Sequence, residues 1–143
     1  MESQIATFED ARLILQLYDL RRETVLRKAR HWLLFTFNPA SAEEFLAMAR
    51  TAGTEENGYF RQVLSYWEMA ASLVLHGAVN ADLFFASNGE GMLIFAKFHR
   101  FREEYQAKNG RPFMRQTAQM VEKYPIAREI FGNMLQSVQA RLP

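Results

Sequence analysis

"VLSYWEMAASLVLHGAVN", residues 63–80, is a nearly apolar run with one carboxylate, Glu68, near its middle. On a helical wheel begun at residue 60, Phe60, Val63, Leu64, Trp67, Ala70, Ala71, Val74 and Ala78 gather in one broad arc. That is the pattern of a helix buried along one side. Opposite runs a narrow strip of Arg61, Ser65, Glu68, Ser72 and His76, edged by Gln62 and Met69. The segment is therefore read as the central helix of a helical protein, capped by Thr54 and running to about Gly77. What Glu68 meets then decides how the neighbouring helices dock.

The flanks read the same way. Thr7 with Asp10 makes a capping-box start, and Phe8, Ala11, Ile14, Leu15, Tyr18, Val25, Leu26, Ala29, Trp32 and Leu33 follow at helical spacing. A continuous helix to Phe37 would be about 45 Å long. The polar run "RRET" at 21–24 either continues that helix or splits it, and the sequence leaves both readings open. Pro39 stops it, because the residue before a proline is driven out of the α region.

Ser41 with Glu44 opens a short helix over 42–51, and Asn80 opens another. Ser87 with Glu90 is read as the cap of a helix to about Lys108, ended by "KNGRP". Pro112 and Pro125 suit first helical positions of the last two segments. In the final one Ile126, Ile130, Met134 and Val138 repeat every four residues. With no sustained alternation, no hairpin signal and no Gly-rich phosphate loop, the expectation is an all-α single-domain bundle. It has six to seven helices with a long first and a long central one, a disordered stretch at 1–6 and one domain over 7–143.

Composition agrees and excludes several classes. The chain has 143 residues, 49% hydrophobic and 13% aromatic, with a formal charge of +1, enough apolar material for a real core. There is no Cys, so disulfide scaffolds, thiolate catalysis and zinc-thiolate sites are ruled out. No apolar run approaches the roughly 20 residues of a membrane helix, and no signal-peptide pattern opens the sequence. The expected compartment is the cytoplasm.

Glu68 has two readings. One leaves it on a solvated polar stripe. The sharper one starts from Arg22, which falls inside the apolar arc of the first helix if that helix runs unbroken. A guanidinium facing a core needs a carboxylate, since an unpaired buried charge is costly. Glu68 is the acid most surrounded by apolar sequence, so an interior Arg22–Glu68 pair is expected to lock the first helix against the central one.

Catalytic and metal patterns are weak. Glu68, Ser72 and His76 share a face at i, i+4 steps, but Glu68 and His76 lie about 12 Å apart along the axis, with the serine between. No strained nucleophile elbow accompanies them. His99 and Glu103 have a spacing that could hold a metal, but a solvated pair on a polar face is the favoured reading. No catalytic residue, metal or cofactor is assigned.

"KFHRFREEYQAKNGRPFMR" interleaves bases and aromatics as nucleic-acid binders do. On the wheel, however, Ile94, Phe98, Phe101 and Tyr105 form a core stripe, with Lys97, Arg100, Glu104 and Lys108 on the solvated side. Nucleic acid is not an expected partner. Charge also segregates: bases dominate 97–128 and acids dominate 41–90. Those blocks neutralise each other within the fold, build a self-complementary surface or, as the least favoured reading, leave a basic patch for a phosphate backbone.

At "LYDLRRE" (17–23), "ARHW" (29–32) and "SYWEM" (65–69) the chain resembles an uncharacterised family of small helical bacterial proteins, classed as a domain of unknown function. The resemblance covers most of the chain and implies no activity, cofactor or catalytic residue. The functional expectation is a non-enzymatic helical interaction module, self-associating as a homodimer. The alternative is a small-molecule site between helices lined by Tyr18, Arg22, Glu68, Ser72 and His76.

Overall fold

A computed structural model describes residues 4–142. Of the stretch expected to be disordered, 1–3 lie outside the described residues, as does Pro143. Among the described residues the chain is all helix and turn, without strands: α1 (Phe8–Arg21), α2 (Thr24–His31), α3 (Ala42–Arg50), α4 (Glu55–Leu75), α5 (Ala81–Ser87), α6 (Glu90–Phe98), α7 (Arg102–Asn109), α8 (Arg115–Lys123) and α9 (Pro125–Ala140). A π-helical turn, Trp32–Thr36, extends α2, and a 3₁₀ turn, His99–Phe101, joins α6 to α7.

The all-α, single-domain expectation holds, with more breaks than the sequence suggested. The first helix is split. Arg22 caps the end of α1, and the Glu23 carboxylate accepts from the Val25 and Leu26 backbone N–H groups, so "RRET" ends one helix and starts the next. The helix expected from Ser87 starts instead at Glu90 with Gly89 before it, and the Glu90 side chain is engaged elsewhere. Pro112 lies ahead of α8, which begins at Arg115. Five local signals hold: the Thr7–Asp10 box, Ser41 on Glu44, Thr54 on Asn57, Asn80 on Leu83, and Pro125 at the start of α9.

α4 is the hub, packing against α2, α3, α6 and α8, while α9 covers α6 and α8. Its buried side is the one read from the sequence, with Phe60, Val63, Trp67, Ala70, Ala71 and Val74 all buried. Phe45 of α3 sits in an aromatic nest of Phe60, Phe98, Phe101 and Phe113, in edge-on and offset contacts. Gly91 lets α6 approach closely, since a Cβ there would lie 3.2 Å from Trp67. Gly110, with φ of 74°, takes the left-handed turn that ends α7.

Ile94, Phe98 and Phe101 are buried as expected, but Lys97 does not lie on a solvated face. Its ammonium reaches the carbonyls of Leu33, Leu34 and Phe37 at 2.8, 3.0 and 2.7 Å, closing the open end of the π-turn.

Candidate interaction surface

α1 docks through one narrow side. Leu17 is 2% exposed, and the Tyr66 hydroxyl donates to its carbonyl. Asp10 accepts from the Asn80 backbone N–H at 2.9 Å, tying the start of α1 to α5. That bond and the Thr7 backbone N–H, the larger influence, hold the Asp10 carboxyl below the usual carboxylate range. At the other end the Arg21 guanidinium lies 5.7 Å from the centre of the Trp67 ring.

The opposite side of α1 is apolar and uncovered. Phe8 is 89% exposed, Leu15 66% and Tyr18 47%, and they follow one another at positions 8, 15 and 18 with Ala11 between. The helical period puts them on one stripe. Arg22 continues that stripe with its guanidinium 5.5 Å from the Tyr18 ring centre, and Val25, 51% exposed, begins α2 beyond it. Arg12 and Asp19, both exposed, lie along one flank. The arc expected to face the core thus divides. Leu26, Ala29 and Leu33 turn inward, whereas Phe8, Leu15, Tyr18 and Val25 turn outward.

The expected Arg22–Glu68 pair does not form among the described residues. Arg22 is exposed because the helix ends there, so its place in the apolar arc no longer aims it at α4. Glu68 faces neither open water nor an arginine. Its oxygens accept from the backbone N–H groups of Gln116 and Thr117, both at 2.9 Å, and from the Thr117 hydroxyl at 2.7 Å.

α8 has no side-chain cap of its own. Met114 before it is left-handed, with φ of 48°. The free N–H groups of a helix start favour a carboxylate, and α4 supplies it. Ser72, partly buried, donates to the Met69 carbonyl at 2.6 Å, and the exposed His76 ring nitrogen lies 2.8 Å from the Ser72 carbonyl. These contacts bind helix backbone. The five residues assigned to one ligand site therefore divide, with Tyr18 and Arg22 on the α1 stripe, Glu68 and Ser72 on α4, and His76 capping the end of α4.

An interior guanidinium–carboxylate pair does exist, between different residues. Arg30 of α2 meets Glu90 of α6 bidentately, Nε at 2.7 Å and Nη2 at 2.8 Å. Trp67 Nε1 adds a third bond to the same carboxylate at 3.0 Å, and Arg30 Nη1 donates to the Arg21 carbonyl at 3.0 Å. The pair joins α1, α2, α4 and α6, and the bonds Arg30 donates to Glu90 raise its pKa above the ordinary arginine value. Sequence reading missed it because Glu90 looked like a local cap.

His99 packs edge-on against Phe95 and Phe131, and burial followed by the Arg102 charge lowers its pKa. Among the described residues no group of three or more His, Asp or Glu converges as a metal site. Nor is any described helix long and apolar enough to cross a membrane.

A family model described as "Domain of unknown function (DUF4760)" matches residues 6–124. The chain belongs to that family. The matched segment runs from the residues before α1 through the end of α8, so the DUF4760 region holds the α1 stripe, the Glu68 cap and the Arg30–Glu90 pair, while α9 follows it. Comparison with curated proteins and with solved structures finds no match.

Proposed function

We propose that the protein is a cytoplasmic, non-enzymatic helical interaction module that pairs with a second copy of itself through the outward face of α1. The observation that carries this reading is the uncovered line of Phe8, Leu15 and Tyr18. With Ala11 it has the alternating three- and four-residue spacing of a two-helix seam. A stripe of large apolar side chains left uncovered on the outer face of a helix is a recurrent mark of an interaction surface.

Charge selects the arrangement. Arg12 stands three residues before Leu15 and Asp19 four after it, on the same flank. A two-fold axis beside Leu15 runs the helices antiparallel and brings Arg12 of each copy against Asp19 of the other. α1 is about 21 Å long at 1.5 Å per residue. A seam that short belongs with the small, reversible interfaces, below roughly 1,200 Å².

Sedimentation velocity across the micromolar range tests the reading. A dimer growing with concentration is expected, with Phe8→Glu and Leu15→Glu monomeric at unchanged helicity. Arg12→Asp and Asp19→Arg should each weaken pairing, and the double exchange should restore it. A monomer at every concentration, or a dimer indifferent to Leu15→Glu, overturns the proposal.

A further inference from the structure

A cleft of about 480 Å³ opens between the π-turn with the loop after it, the α6–3₁₀ junction, and the end of α9. It is remote from the α1 stripe in sequence and shares no residue with it. Its volume falls in the range of small-molecule sites, about 300–1,000 Å³. The walls are apolar, built chiefly from Leu34, Phe35, Leu93, Phe98 and Val138. Phe35 at 69% exposure, Leu142 at 39% and Leu93 at 36% make an uncovered apolar rim.

Every charged residue lining the cleft is a cation: Lys97, Arg100 and Arg141, with no Asp or Glu among the lining residues. Among the described residues none of the three is in an ion pair. Their roles differ. Lys97 has all three N–H groups on carbonyls, so it supplies charge without a donor. Arg100 is held by one bond, from Nη2 to the Pro39 carbonyl at 2.8 Å, with its guanidinium 4.5 Å from the Phe101 ring centre. Its remaining N–H groups, like those of Arg141 just after α9, bond no group among the described residues and can donate to a ligand.

We infer that this cleft binds a small carboxylate with an apolar body, of the class of a medium-chain fatty acid, its head group on Arg100 and Arg141 and its chain against Leu34, Leu93, Phe98 and Val138. Apolar walls alone would accept a neutral chain equally well. The unbalanced positive charge is what selects the acid, because a monoanion neutralises cations that no side chain among the described residues pairs with.

Titration calorimetry of the full chain with decanoate, below its micelle concentration, tests the inference, with decanol and acetate as controls. Saturable one-to-one binding of decanoate is expected. Decanol and acetate should each bind at least about tenfold more weakly, and Arg141→Gln and Arg100→Gln should each reduce decanoate affinity about tenfold. Amide shifts should centre on Leu34, Phe35 and Leu93 and be the same in the Leu15→Glu chain, which separates this result from self-association. No saturable decanoate binding, decanol binding as tight as decanoate, or undiminished binding after Arg141→Gln overturns it. So does binding only to anionic vesicles.

Discussion

At the scale of single residues, the Arg30–Glu90 pair sets the clearest test. Its side chains are 20% and 15% exposed, so each is largely withdrawn from water. Removing one partner strands the other charge, which in such settings costs about 3 kcal/mol, whereas replacing both by apolar groups costs far less. Arg30→Met and Glu90→Leu should each lower unfolding stability by about that amount in urea, and the double variant should recover most of it. Glu90 variants should also shift the Trp67 emission, since the indole loses its acceptor.

Glu68 gives a second test at this scale. Glu68→Ala leaves two backbone N–H groups and the buried Thr117 hydroxyl without their acceptor, for an expected loss of about 2–3 kcal/mol by chemical denaturation. Glu68→Gln, which keeps an acceptor oxygen, should lose less. Neither pairing was legible in the sequence. The bond from Glu68 to Thr117 spans 49 residues and the Arg30–Glu90 contact spans 60. The sequence did mark Glu68, a carboxylate in an apolar helix, as needing a partner, but it chose Arg22, which is exposed, and passed over Arg30, which pairs inside. Which partner each found depends on how helices cross, and no wheel contains that.

At the scale of elements, what was legible was local. Caps at Thr7, Ser41, Thr54 and Asn80 and the start at Pro125 are settled by residues three or four apart, and all five hold. The break at 21–24 was left open, and its outcome reassigned a whole face. With α1 ending at Arg21, Tyr18 and Arg22 are exposed on its outer face while Glu68 caps α8. α1 is also where pH acts. A carboxyl whose folded pKa is lowered contributes stability above its ordinary value, about 3.9, and loses that contribution as pH falls through the folded value. Asp10 is such a group. Asp10→Asn should therefore be less stable than the parent at pH 7, and the gap should close toward pH 2. Urea titrations at the two pH values check it.

At the scale of the whole molecule, the segregated charges do not neutralise each other by pairing. Among the described residues the ion pairs are Arg30–Glu90 and Lys28–Glu55, which join the acid-rich stretch to α2 instead of to the basic stretch. Bases from 97–128 reach backbone carbonyls, as Lys97 and Arg100 do. The fold therefore keeps a cation-lined cleft at one place and an apolar stripe at another. The surfaces proposed for self-association and for ligand uptake are separate, so the two should vary independently under mutation.

The slender attachment of α1 has a consequence for how the molecule breathes. One buried leucine with Leu13 and Ile14 half-buried beside it, the Tyr66 bond, the Asp10 tie and the Arg21 contacts with Arg30 and Trp67 hold this helix, while α4 is buried along one whole side. Local opening free energies follow such differences in anchoring. Amide protons of α1 should thus trade with deuterium through a hinge at Arg22–Glu23 while α4, α6 and α8 stay closed. Raising the protein concentration should slow that trade in α1 selectively, so exchange mass spectrometry of one helix would report how much of its stripe is covered.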